Sequence, residues 1–249
     1  MFLAEPPRTP YDLHFVLFGI PVRVHPLFWL VSVFLGLNGG SGDPARVLIW
    51  VVAVFLSILI HEMGHAVAAL AHGWPPHITL YSMGGLASYQ PTRRSPQSQI
   101  IILLCGPGAG FLLAAFVLAL IMAAKHRVLF DWHELPGMPF RFEWFENDRL
   151  NWFIADLLYV NIYWGLVNLL PVFPLDGGQV AREALDLQSP GLGLRRSLVI
   201  SLWVATAMAV VAVARLHSVY VALMFGYLAY NSYTLLQAYS GRGGFGGRW

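Results

Sequence analysis

Val47–Gly73 reads VLIWVVAVFLSILIHEMGHAVAALAHG. Its first 14 residues, Val47 to Ile60, carry no charge, and His61, Glu62 and His65 then arrive inside a run that stays apolar for another turn and more. On a helix, positions i and i+4 share one face, so the two imidazoles project together one turn apart. That spacing suits two nitrogens on one zinc ion, with Glu62 beside the first of them and placed to take a proton from an attacking water. In a soluble chain HExxH alone is a moderate signal. Inside a membrane-type segment each ionisable group costs roughly 2.5 kcal/mol or more unless it is paired or faces a cavity. Three such groups so close together argue for chemistry rather than packing.

The surrounding composition agrees. Of 249 residues, 57% are hydrophobic and only 11% charged, with a mean hydropathy of +0.61. Soluble domains run near about 25% charged, so this is the composition of a polytopic membrane protein. A net charge of +2, with no basic stretch interleaved with aromatics, argues against nucleic acid as a partner. The single cysteine, Cys105, rules out an intrachain disulfide and reads as a small buried hydrophobe. Met1–Pro10 lacks the pattern of a cleavable signal peptide, so the first apolar segments are expected to serve as both targeting signal and structure.

The expected fold class is an all-α polytopic membrane protein with about six transmembrane helices and a short membrane-associated β-hairpin or re-entrant loop near the metal site. The helices are expected near 26–37, 45–72, 98–124, 151–170, 194–214 and 218–238, within a single domain spanning 1–249, with a disordered tail at 240–249. Leu13 to His25, rich in β-branched and aromatic residues and broken by Gly19 and Pro21, predicts two short strands or an interfacial hairpin. Ile78 to Gln90 predicts the hairpin or re-entrant loop around Gly84 and Gly85. Such backbone is tolerated at membrane depth only where protein or a water-filled cavity covers it. An edge strand there could take an extended substrate peptide by β-augmentation, and an ordinary surface hairpin is the equal alternative. Gly106, Gly108 and Gly110 suit a close helix approach, with Pro107 loosening the helix. Lys125 to Arg149, a polar loop carrying Trp132, Phe140, Phe142, Trp144 and Phe145, suits the membrane interface. Nine basic residues on one side of the spans against six on the other place both termini in the cytoplasm of a multi-pass cell-membrane protein.

A catalytic zinc takes three protein ligands and keeps one open position. No Asp or Glu occurs from Ala66 to Phe130, and a third histidine at the extended-motif spacing is absent, since Ala71 stands there. His72 falls one residue late and reads as a helix-end histidine. The best remaining candidate is Asp176 in NLLPVFPLDGG, residues 168–178, where Gly177 and Gly178 allow close backbone approach. An N-cap of the following short helix is the local alternative for Asp176.

HEMGH in an apolar segment, followed about 110 residues later by NLLPVFPLDGG, resembles the site-two protease family of intramembrane zinc metalloproteases. GIPVRVHPLFWL at 19–30 and the Gly84-Gly85 loop resemble the short six-helix form similar to the bacterial sporulation-factor protease, with neither a PDZ nor a CBS domain. The resemblance implies one zinc ion per chain held by His61, His65 and Asp176, with Glu62 as general base. It implies that Asn168 holds substrate or stabilises the oxyanion, although an Asn in a membrane helix also serves to bond a neighbouring helix. It further implies a transmembrane protein as substrate, cleaved within or near its membrane segment in the bilayer, with control left to a regulatory membrane partner or the membrane loops. The family's GPxxN pattern reads GPGAG at 106–110, so Gly110 stands where Asn is expected and any role for that Asn is absent or moved. Rival classes are a zinc transporter or metal sensor, or an inactive homologue that only binds membrane proteins. Transport needs a polar path on both sides of the site, which Val47–Ile60 does not offer, and it leaves Glu62 without a task.

Overall fold

The computed structural model describes residues 5–38, 43–82, 84–92, 94–130 and 140–242. The chain divides into two compact units, Met1–Arg93 with Cys105–Leu166, and Arg94–Leu104 with Val167–Trp249.

The first unit opens with strands β1 (Leu13–Leu17) and β2 (Ile20–Val24), an antiparallel hairpin in which Leu17 pairs with Ile20. Its two-residue loop needs left-handed backbone, supplied by Phe18 (φ 49°) and Gly19 (φ 81°), the geometry that matches strand twist. The chain then forms helices α1 (Pro26–Asn38) and α2 (Pro44–Ala71) before returning as β3 (His77–Tyr81), which pairs parallel with β2. A parallel pair requires a crossover of this size, so the metal-motif helix is itself the connection inside the sheet. Strand β4 (Gly84–Ser88) pairs antiparallel with β3 and ends the sheet, whose order is β1-β2-β3-β4. The expected hairpin at 78–90 is therefore half of a four-stranded sheet.

Alternation along the strands decides which face is buried. Ile20, Val22, Val24, Ile78 and Leu80 pack against Phe28 of α1 and Val54, Ile58, Leu59, Met63 and Ala66 of α2. The opposite face carries Arg23, held by the N-terminal segment: it donates to Asp12 at 3.1 Å and to the Pro6 carbonyl at 3.0 Å. The Thr9 side chain, ahead of Arg23, holds the Asp12 carboxyl down to about 2, so the pair is charged at neutral pH. Glu5 accepts from Ser88 Oγ at 3.0 Å and pairs with His77, which ties residues 5–12 across the sheet.

Helix α2 is defined at both ends. Asp43 caps it by accepting from the Ala45 N–H at 2.9 Å, with Pro44 in the first turn. At the other end Gly73 adopts φ 78° and donates to Leu70 O, while Trp74 N–H reaches Ala69 O, a Schellman closure. His72 sits at the C-cap with its Nδ1 2.8 Å from Ala68 O, as its reading as a helix-end histidine requires.

Helix α3 (Pro96–Ala123) contains Pro107. Short strands β5 (Val128–Phe130) and β6 (Phe140–Phe142) pair after it; Trp132 and the rest of 131–139 lie outside the described residues. Helix α4 (Asp148–Tyr159) continues through a π turn, Val160–Trp164, and a last turn, Gly165–Asn168. An unforeseen ion pair joins α2 to α4: Arg46 donates to both carboxylate oxygens of Asp156, with Nη2 to Oδ1 at 2.7 Å. Asp156 is 5% exposed. Arg46→Ala leaves that carboxylate buried without its donors and is expected to cost about 3–5 kcal/mol, seen as a lowered Tm in detergent. A loss below about 1 kcal/mol would place the pair among exposed bridges instead.

The second unit holds α5 (Asp176–Gln188), α6 (Gly193–Ala214) and α7 (Val219–Arg242), with a core of Val172 from the segment before α5, Ala205 of α6, and Phe225, Leu228 and Ala229 of α7. Helix α7 runs into the stretch expected as a disordered tail, of which 243–249 lie outside the described residues. Among the described residues four helices are long and apolar enough to cross a membrane: Pro44–Ala71, Pro96–Ala123, Asp148–Asn168 and Gly193–Ala214. Pro26–Leu37 is apolar but shorter, so the expected count of about six is approximate.

Candidate metal centre

The i,i+4 spacing on α2 does what the sequence requires of it. His61 and His65 are 5% and 7% exposed, their rings cross at 80°, and their Nε2 atoms lie 3.2 Å apart. Two nitrogens on one tetrahedral zinc, each at 2.0–2.1 Å, are separated by about 3.3 Å. The pair thus fits the group that the motif implies, both in donor type and in spacing.

Glu62, also 5% exposed, points at the start of β4. A Cβ on Gly85 would fall 2.3 Å from Glu62 Cγ and 2.5 Å from Oε1, so only glycine lets strand backbone pass this close to the carboxylate. Gly84, at φ 117°, faces Trp164 of the π turn. His61, Glu62, His65, Gly84 and Gly85 are therefore gathered in the first unit.

Two glycines complete the surroundings in ways that spacing alone did not reveal. A Cβ on Gly106 would lie 2.2 Å from His65 Nε2, so at this point α3 approaches the imidazole itself rather than helix backbone. A Cβ on Gly64 would lie 2.2 Å from the Cys105 carbonyl oxygen, so at Gly64 α2 meets α3 backbone. The HExxH pattern contains Gly64 between its fixed positions, and nothing in that pattern asks for it.

Asp176 and Asn168 belong to the second unit. Asp176 is the first residue of α5, and Leu175 occupies the N-cap position. Its backbone is fixed by the two glycines that follow. A Cβ on Gly177 would meet Leu169 O at 2.2 Å, and one on Gly178 would meet the Val172 carbonyl carbon at 2.4 Å. Helix α5 therefore starts in direct backbone contact with the chain reversal that precedes it. Arg94 pairs with Glu183 two turns further along α5. Asn168 is 7% exposed, and its Nδ2 has no hydrogen-bond partner among the described residues.

A paired-histidine site with an adjacent carboxylate, on a helix apolar enough to cross a bilayer, defines a multi-pass membrane protein with a candidate metal centre. Residues 49–135, which take in that helix from its second turn onward, match the model of Peptidase family M50. The protein sll0528 of Synechocystis sp. is 31% identical over 180 residues, covering 67% of this chain and 42% of the relative. The zinc metalloprotease MJ0392 of Methanocaldococcus jannaschii is 26% identical over 174 residues, covering 69% and 44%. The chain thus spans less than half the length of these curated relatives. The solved site-2 protease from Methanocaldococcus jannaschii superposes with a TM-score of 0.58 at 22% identity, covering 91% of this chain and 95% of that one. The fold is that of the solved site-2 protease, and the segment bearing the metal motif matches the model of Peptidase family M50.

Proposed function

We propose that this chain is a single intramembrane protease domain, a zinc metalloendopeptidase that hydrolyses a peptide bond within or near a transmembrane segment of a membrane-protein substrate. The observation that carries the reading is the His61–His65 nitrogen pair, 3.2 Å apart on a membrane-type helix with Glu62 beside it. His61, His65 and Asp176 would hold one zinc ion, leaving a fourth position open. Bound there, zinc supplies Lewis acidity that brings the pKa of a coordinated water toward about 7. Glu62 accepts the proton as water attacks the scissile carbonyl and delivers it to the leaving amine.

Asn168 has a buried amide with hydrogens to donate, which suits a substrate carbonyl or the developing oxyanion. Among the described residues β4 is the outer strand of its sheet, so an unwound substrate segment can add beside it with Gly84 and Gly85 next to Glu62. Both termini lie in the cytoplasm, and control of substrate entry belongs to a regulatory membrane partner or the loops.

The test uses the purified full chain in liposomes with a panel of tagged single-span membrane proteins. Zinc content is expected at roughly one per chain, falling in His61→Ala, His65→Ala and Asp176→Ala. Chelation should abolish cleavage and zinc should restore it. Cleavage that survives complete metal removal would overturn the reading.

A further inference from the structure

Within Val47–Ile60 the only side-chain hydroxyl belongs to Ser57. It lies one turn before His61, so Ser57, His61 and His65 form an i, i+4, i+8 stripe on α2. Ser57 is 3% exposed and receives a hydrogen bond at 2.8 Å from Nδ2 of Asn161, which is also 3% exposed. Asn161 belongs to the π turn of the facing helix, and the same amide donates at 2.8 Å to Leu157 O one turn earlier. Both amide hydrogens are thus committed, one to its own helix and one to the metal helix. That fixes the carboxamide plane as well as its position. π turns inside α-helices recur at functional sites, where the extra residue redirects a side chain.

The third wall of this arrangement is α3. A Cβ on Gly110 would lie 3.3 Å from Asn161 Oδ1 and 3.5 Å from the Asn161 carbonyl oxygen. A Cβ at 110 would press on Asn161 Oδ1 by a few tenths of an ångström, and a longer side chain built toward it would meet Asn161 itself. The carboxamide beside position 110 comes from the facing helix, in a chain whose own residue 110 is glycine.

We propose that Asn161 is a positioning residue for the metal-binding end of α2: through Ser57 it fixes the rotation of the helix that carries His61 and His65, from a volume that glycine at 110 leaves open. A rotation of α2 about its axis moves both imidazoles and Glu62 together, and displacement of a reacting group by about 1 Å costs on the order of 100-fold in rate. The Ser57–Asn161 bond therefore matters more for geometry than for stability. Hydrogen bonds of this kind between membrane helices contribute little to the folding equilibrium.

The inference rests on the metalloprotease reading, and its test carries one arm that does not depend on hydrolysis. Zinc affinity of the full chain in detergent is measured by competition with a chromophoric chelator, alongside kcat and KM for a cleaved single-span substrate. Asn161→Ala is expected to weaken zinc binding about 10-fold and to lower kcat about 10- to 100-fold, with KM changed less than about 3-fold. Ser57→Ala should reproduce this, and the double variant should be no worse than either alone. Gly110→Asn alone should be as damaging as Asn161→Ala, whereas Gly110→Asn combined with Asn161→Ala should regain about 10-fold, because the two side chains compete for one volume. Wild-type affinity and rate in Asn161→Ala, additive effects of Ser57→Ala and Asn161→Ala, or a swap no better than Asn161→Ala would each overturn the proposal. A wild-type chain that binds zinc but cleaves no substrate sinks the protease reading, and the affinity arm still decides the role of Asn161.

Discussion

Replacement of Glu62 by Gln is expected to lower the cleavage rate by about 10²–10⁴-fold while leaving the zinc content of the chain unchanged. The substitution keeps side-chain length and shape, so the contact with Gly85 backbone survives, and it removes only the ability to take up a proton. Glu62 is not among the proposed ligands, and its carboxylate is directed to the start of β4. Metal retention with lost turnover is therefore the signature of a base, whereas joint loss of both would mean that the carboxylate helps to hold the ion. Single-turnover cleavage of a tagged membrane substrate, with metal quantified on the same preparation, separates these outcomes. Equal rates in wild type and variant would sink the assignment. A charge buried to 5% exposure on a membrane helix would then be left without a chemical reason.

What the sequence made legible was local. The apolar run of Val47–Ile60 followed by His61, Glu62 and His65 is a helix-period statement, and the imidazole pair at 3.2 Å is its direct consequence. Strand signals at 13–25 and 78–90 were also readable, because β-branched and glycine residues act within a few positions. The parallel pairing of β2 with β3 was not, since it depends on two intervening helices closing back on the sheet. The Arg46–Asp156 pair spans 110 positions, and an arginine at the start of an apolar run looks the same in sequence whether it faces the membrane surface or a neighbouring helix. Asp156 offered a clue, because a carboxylate in an apolar span needs a partner. Glycines gave the least: Gly106 and Gly110 both read as small residues for helix approach, yet one faces a histidine ring and the other an asparagine from a different helix. A missing side chain reports that something is close, and only the fold says what.

Gly106 therefore carries the sharpest test of how the histidine pair is held. Gly106→Ala is expected to weaken zinc binding on the order of 100-fold or more, with helical content and Tm close to wild type. The added Cβ would sit 2.2 Å from His65 Nε2, 2.3 Å from Cε1 and 2.8 Å from Cδ2. An imidazole can swing away from such a collision at modest cost, so the fold survives, but the nitrogen that completes the 3.2 Å pair leaves its place. Gly64→Ala supplies the contrast on the same helix. There the Cβ would meet Cys105 O at 2.2 Å, and backbone inside a packed helix pair cannot rotate aside. That variant should lose stability by about 1–3 kcal/mol or more through forced separation of α2 and α3. Chelator competition and thermal melts on both proteins read the two effects independently. Wild-type zinc affinity in Gly106→Ala would mean that His65 is held by α2 alone, and that the approach of α3 serves packing rather than the metal centre.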